Sequence, residues 1–215
     1  MKTLIILLNI MLTIGLLATP NGVDETTKNS LQETISKIKK SYENVNILEA
    51  NFKQVFFHKA YKRKKKSSGT VIFTKDLKMK WSYKTPEKKF IISNGETLWI
   101  YEPENEQAFK TNIKGSELES AAKFLLGKMD ILNDYNIKQE KEILVLTPKQ
   151  ESNYKKIYLT LNKEYKIIQT KMIDNFDNEN IIMYNEFKIN EDKLTKEFFD
   201  FTPPDNTEII EKDKK

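Results

Sequence analysis

Residues able to do acid–base or nucleophilic chemistry are few in this chain, and nothing in their spacing brings them together. The one histidine, His58, precedes a dense run of cations, Lys62-Arg63-Lys64-Lys65-Lys66, and no Ser-His-Asp pattern singles out partners for it. Cysteine is absent, which removes thiol nucleophiles, thiolate zinc sites and disulfides at one stroke. Six glycines form neither a Gly-x-Ser-x-Gly elbow nor a phosphate-cradling loop. Glu102 and Glu104 are the carboxylates that would serve a hydrolase as an acid–base pair. With 31 acidic residues in the chain such proximity arises by chance, and a solvated loop explains it. No catalytic set, metal site or cofactor loop follows, and the chain does not read as an enzyme.

The spacing of the apolar residues points to binding instead. In Met79-Lys80-Trp81-Ser82-Tyr83 the strand period of two puts Met79, Trp81 and Tyr83 on one face, with Lys80 and Ser82 on the other. Thr85-Pro86 turns the chain, Phe90-Ile91-Ile92 makes a short strand, and Ser93-Asn94-Gly95 turns it again. Thr97-Leu98-Trp99-Ile100-Tyr101 then runs on to Pro103. The result is an antiparallel meander with one broad aromatic and aliphatic face. Its candidate lining residues are Phe52, Phe73, Met79, Trp81, Tyr83, Ile91 and Trp99, although alternation leaves open whether Trp99 or its neighbours Leu98 and Ile100 share that face.

Elements on either side must position this face. Leu31, Ile35, Ile38 and Tyr42 recur at helical spacing and predict an amphipathic packing helix over 27–42. Residues 47–59 read as a long strand and 70–74 as its partner. The basic run between them reads as a solvated hairpin loop, or as a contact to acidic lipid headgroups or an acidic partner surface. A strand over 106–113 is followed by a change of period: Ser116-Glu117-Leu118-Glu119 caps a helix whose stripe is Leu118, Ala121, Ala122, Leu125, Leu126 and Met129. Strands then recur at 135–139, 142–147, 156–161, 166–173 and 181–189, with a last aromatic one at 197–201 ended by Pro203-Pro204. A twisted sheet of eight or more strands tends to curl, and its concave face must be filled by side chains or by a ligand. The inserted helix, with small residues at its centre, is the filler able to lift away; a plain core is the other reading.

Composition sets the frame. Hydrophobic content of 39% beside 31% charged residues fits one globular domain over 23–215. Residues 1–22 have the layout of an export signal, with Lys2, an apolar run from Leu4 to Leu17, and a cleavage point expected between 18 and 23. The net charge of +5 comes almost wholly from lysine, Arg63 being the only arginine. Arginine is the preferred reader of phosphate and base edges, so nucleic acid is not an expected partner.

The ordered motifs resemble those of the periplasmic outer-membrane lipoprotein carrier family, LolA. They are Asn51-Phe52-Lys53-Gln54, Gly69, Met79-Lys80-Trp81-Ser82-Tyr83 with Pro86, Ser93-Asn94-Gly95, and Leu98-Trp99-Ile100-Tyr101 with Pro103 and Gln107. Leu146-Thr147-Pro148-Lys149 and Phe199-Asp200-Phe201-Thr202-Pro203-Pro204 complete the set. The resemblance implies a mainly β fold, an unclosed antiparallel barrel of about eleven strands whose concave apolar face is closed by a lid of short helices. It further implies a monomeric periplasmic chaperone without a cofactor. Such a carrier takes outer-membrane lipoproteins by their acyl chains from an inner-membrane lipoprotein-releasing ABC transporter and passes them to an outer-membrane lipoprotein receptor. The lid would be the helix carrying Leu118, Ala121, Ala122, Leu125 and Leu126. Where the family commonly has Arg-Pro after the second strand, its arginine latching the lid, this chain has Lys75-Asp76. Lysine supplies a point charge in place of a rigid fork of donors, so Lys75 is the latch candidate and a weaker one. A lipid-binding or structural envelope protein of the same fold is the alternative; the receptor family LolB shares the fold but is itself a lipoprotein, which the lack of cysteine opposes.

Overall fold

The alternating stretches become strands, and all of those strands join one sheet. In a computed structural model of the chain, the residues described are 25–114, 123, 131–191 and 194–211. The strands are β1 Ile47–His58, β2 Arg63–Thr74, β3 Met79–Thr85, β4 Lys89–Ser93, β5 Thr97–Glu102, β6 Gln107–Asn112, β7 Tyr135–Glu140, β8 Ile143–Pro148, β9 Tyr154–Leu161, β10 Ile167–Asp174, β11 Glu179–Ile189 and β12 Glu208–Glu211. Their order is β12-β6-β5-β4-β3-β2-β1-β11-β10-β9-β8-β7, so β12 and β7 are free edges and the sheet is an unclosed barrel. Neighbouring pairs are antiparallel apart from β12 on β6.

Tight turns built by short polar side chains set the register. Asn94 Oδ1 accepts from the amides of Glu96 and Thr97, and Gly95 supplies the φ of +95° that the β4–β5 turn needs. Asn162 Oδ1 does the same for Glu164 and Lys166 between β9 and β10. Between β10 and β11, Asp174 accepts from the amides of Phe176 and Asn178. Each is an Asx-type turn, so the meander topology is encoded locally.

Helix α1, Glu25–Tyr42, presents Ile35, Ile38 and Tyr42 to the main apolar cluster, which also holds Leu144, Leu146, Leu159, Leu161 and Ile167 of the second half-sheet. Its last turns are fixed by polar contacts. The Tyr42 hydroxyl accepts from the Ile167 amide at 2.9 Å, and Ser41 Oγ donates to the Tyr165 carbonyl at 3.2 Å.

Two expectations change. The basic run is not a loop: the chain turns earlier, with the Lys62 amide donating to the Lys59 carbonyl at 3.3 Å, and Arg63–Lys66 lengthen β2 opposite Val55–His58. Nor is the aromatic tail a strand. Lys196–Phe199 form a 3-10 turn, and residues 200–204 have no regular structure. The twelfth strand lies beyond the two prolines, where Glu208–Glu211 run parallel to β6 with Lys110–Glu211 and Gln107–Glu208 side-chain contacts. Four residues with charges at both ends carry no alternation long enough to show as a strand.

Candidate functional site

Antiparallel register lines up three rows across the concave face. The first is Leu48, Phe73, Met79, Ser93 and Leu98; the second is Ala50, Val71, Trp81, Ile91 and Ile100; the third is Phe52, Gly69 and Tyr83. Phe52, Phe73, Met79 and Trp81 are almost fully buried there, and Tyr83 and Ile100 are partly buried against the same cluster. Ile91 joins them, so of the expected lining residues six share this face.

The rings form one connected network. Phe52 lies 4.9 Å from both Trp81 and Tyr83, centroid to centroid, in edge-on contacts. Phe73 meets Trp81 edge-on at 5.7 Å, and Tyr184 of β11 approaches it at 6.4 Å. Gly69 makes this possible. A Cβ there would fall 2.0 Å from the Ser82 carbonyl oxygen and 3.0 Å from the Phe52 ring. The glycine thus lets β2 and β3 close up at a register shift while the Phe52 ring occupies the space above it. Burial pushes the Tyr83 phenol up to about 12 and raises Tyr184 further, so both stay neutral. Trp81 Nε1 is buried without a hydrogen-bond partner among the described residues.

Trp99 lies elsewhere. It pairs with Ile92 and Lys110, which belong to the opposite, convex face, and its ring packs 5.8 Å from Phe201. The physical reason is register: Ile91 pairs with Ile100, so Leu98 and Ile100 take the concave side and Trp99 cannot. The C-terminal tail covers this convex patch. Phe201 also meets Tyr101 at 5.2 Å, and Lys80 Nζ stands 4.6 Å over the Phe198 ring. Two aromatic layers therefore sandwich β3–β5. Alternation alone left the choice open because Leu98, Trp99, Ile100 and Tyr101 are all apolar; the tail's triple phenylalanine was the signal for a second apolar face.

Lys75 sits in the β2–β3 turn at one end of the strands. Its amide donates to the Asn46 carbonyl at 2.8 Å, and with Leu194 and Phe199 it borders an open cleft of about 440 Å³. Burial opposes the charge on neighbouring Asp76. The Thr74 hydroxyl and Lys78, 3.2 Å away, outweigh it and hold the carboxyl below its usual range. The expected lid residues Leu118, Ala121, Ala122, Leu125 and Leu126 lie outside the described residues, as does the signal segment. The residues that flank this segment are described. Ile113 and Ile131, on either side of it, are both buried in the concave cluster.

The residues weighed for hydrolysis do not converge. His58 ends β1 and Glu102 ends β5, with three strands between them, about 19 Å at ordinary strand spacing. Glu102 accepts from Asn105 Nδ2 at 2.9 Å as part of its own turn. Among the described residues no group of three or more His, Asp or Glu side chains has the arrangement of a metal site.

The family model "Outer membrane lipoprotein carrier protein LolA" matches residues 43–202, from just before β1 to the convex-face tail. The chain belongs to the LolA family. An outer-membrane lipoprotein carrier protein of Nitrosomonas europaea is 28% identical over 168 residues, which span 75% of this chain and 81% of that relative. One from Nitrosospira multiformis is 26% identical over 182 residues, 82% of this chain and 87% of the relative. Among solved structures, an uncharacterized conserved protein of Thermus thermophilus superposes with a TM-score of 0.55 over 85% of this chain and 99% of that one, at 13% identity, a likeness of fold alone. The LolA match contains every strand of the concave aromatic face but leaves out α1 and β12.

Proposed function

We propose that the protein is a monomeric periplasmic carrier that binds lipoprotein acyl chains against the concave face of the barrel. It would take them from the inner-membrane lipoprotein-releasing transporter and pass them to the outer-membrane receptor, without covalent chemistry or a cofactor. The observation that carries the reading is the continuous apolar surface of Phe52, Phe73, Met79, Trp81, Tyr83 and Ile91 on an unclosed sheet. Leu98 and Ile100 extend it in place of Trp99. Shielding is the physical need. At about 0.8 kcal/mol per methylene, roughly forty methylenes represent on the order of 30 kcal/mol when exposed to water.

Release must still run downhill, and a lid that exchanges its own apolar contacts for those of the cargo offsets part of the binding energy. The segment bracketed by Ile113 and Ile131 is assigned that role, with Leu118, Ala121, Ala122, Leu125 and Leu126 as its inner stripe and Lys75 as latch. Leu125→Glu should then abolish cargo binding with the β-sheet signal intact. Added to spheroplasts loaded with lipoprotein, the purified protein should release cargo into solution; no release where a known carrier works would sink the reading.

A permanently filled core is the competing reading, and the near-complete burial of Phe52, Phe73 and Met79 favours it. A fatty-acid probe separates the two. A filled core takes up none, whereas a carrier binds the probe with an affinity that Trp81→Ala changes and Trp99→Ala leaves alone.

A further inference from the structure

Between Glu49 and Asp76 the chain has no carboxylate but eight cations, although the whole protein carries a net charge of only +5. Without this stretch the chain would be acidic, so its basicity is local. Most of these charges gather at one end of the sheet. The β1–β2 hairpin turns over Lys59–Lys62, and Arg63–Lys66 are all exposed on the returning strand. β3 begins to pair with β2 only at Ser68, so this part of β2 stands clear of the sheet on that side.

Two exposed rings occupy the same end. Tyr61, at the hairpin tip, is 72% exposed, and Phe176, in the adjacent β10–β11 turn, is 82% exposed. The Tyr61 ring stacks obliquely on His58 at 4.5 Å, and the Phe176 amide is held by Asp174 Oδ1 at 2.8 Å. The two tips are tied together by Lys59, whose amide donates to Asn178 Oδ1 at 2.9 Å.

Nearby carboxylates are engaged. Asp177 pairs with Lys155, Glu179 with Lys171, Glu87 with Lys65, and Asp174 is used by its own turn. Glu87 thus offsets Lys65, one of the tip's own cations, whereas Asp177 and Glu179 are matched by lysines outside the run; Lys59, Lys62, Arg63, Lys64 and Lys66 remain in excess over Asp174, and the tip keeps a net positive field.

We propose that this tip docks on the surface of a phospholipid bilayer rich in anionic headgroups. The cations meet the headgroups, and Tyr61 and Phe176 sit at the interface, where an amphipathic or aromatic ring is favoured. A charged edge alone would serve to keep an unpaired strand from pairing with another chain. That role does not call for two rings held out into water beside it. Docking by the tip leaves the concave face and the Lys75 end of the strands clear, because β1 runs from the Lys75 turn to the tip. The inference does not depend on the carrier reading, since it concerns the protein without cargo.

Sedimentation of the full chain with vesicles tests it. Mixed phosphatidylcholine–phosphatidylglycerol vesicles should retain the protein at low salt and lose it as salt rises, while pure phosphatidylcholine should not retain it. Lys62→Gln, Lys64→Gln and Lys66→Gln together should weaken binding about a hundredfold, from roughly fivefold per cation. Tyr61→Ser with Phe176→Ser should weaken it on the order of tenfold without changing its salt dependence. All five positions are surface sites, and unchanged melting verifies that the variants fold. Equal binding to both vesicle types overturns the proposal, as does an unweakened triple lysine variant. Retention by a soluble acidic polypeptide with none by the anionic vesicles would also overturn it, reassigning the tip to an acidic protein.

Discussion

Replacing Phe52 by alanine probes the concave face at its centre. The ring is almost wholly buried and stands edge-on to Trp81 and Tyr83 at 4.9 Å each, above the space left by Gly69. Gly69 cannot fill the hole, and Trp81 is held by Phe73 and Tyr184 as well, so the site collapses poorly. Loss of a buried phenylalanine then costs about 3–5 kcal/mol. In a domain of this size that lowers the melting temperature by roughly 10 °C. The informative step is to repeat the melt with a saturating fatty acid. A ligand present at a hundred times its dissociation constant restores about 2.7 kcal/mol to any native state that binds it. If the acyl chain lies against Phe52, the vacated volume takes more of the chain, and the ligand-induced shift should be larger in the variant than in the wild type. Leu144→Ala, in the half-sheet facing α1, should destabilise to a similar degree without that extra gain. Equal ligand shifts in the wild type and the Phe52 variant would refute acyl contact at this position. A variant melting like the wild type would refute the packing argument itself.

Gly69→Ala should destabilise by about 2–4 kcal/mol in chemical denaturation, because the new Cβ meets backbone oxygen at 2.0 Å and one of the two strands must move. Tyr42→Phe removes the acceptor of the buried Ile167 amide and should cost about 1–3 kcal/mol, read from the same assay. Alkaline pH should destabilise the protein through Tyr42 and Tyr83, both pushed up by burial to about 12 from 10.0. A folded value above the unfolded one means that the neutral phenol is favoured by folding. That stability is fully present below pH 10 and is lost as pH climbs towards 12, by roughly 2–3 kcal/mol per tyrosine. Denaturation midpoints that stay flat across this window, with phenolate absorbance rising as in a free tyrosine, would contradict the burial of both rings.

The strands were legible because most are alternating and their turns are made by asparagine, aspartate and glycine at fixed offsets. That Met79, Trp81 and Tyr83 share one face follows from period two alone. Trp99 was not legible, because a strand with apolar residues on both faces gives no phase, and only pairing with β4 supplies one. The tail was misread for a related reason: its phenylalanines look like a strand, but Phe198 and Phe201 make separate contacts onto a second apolar face. The basic run was placed in a loop because charge suggests exposure, and exposure does not exclude a strand that stands clear of its neighbour.

Most rings of the concave face gather in one half of it, and this bears on where cargo would enter. β1, β2 and β3 bring Phe52, Phe73, Trp81 and Tyr83; β8, β9 and β10 bring Leu144, Leu146, Leu159, Leu161 and Ile167. Helix α1 is fastened to the aliphatic half by the Tyr42–Ile167 and Ser41–Tyr165 hydrogen bonds and by Lys37 donating to the Tyr165 hydroxyl at 3.2 Å. Lifting it would break those bonds and strip the apolar residues beneath it. On the carrier reading, α1 is therefore a fixed wall and the aromatic half is the entry. The chain has no cysteine of its own, so Ser41→Cys with Tyr165→Cys can lock α1 without side reactions. The oxidised double variant should bind fatty-acid probe as the reduced one does. Binding lost on oxidation and regained with reductant would place the entry under α1 and overturn this division of the barrel.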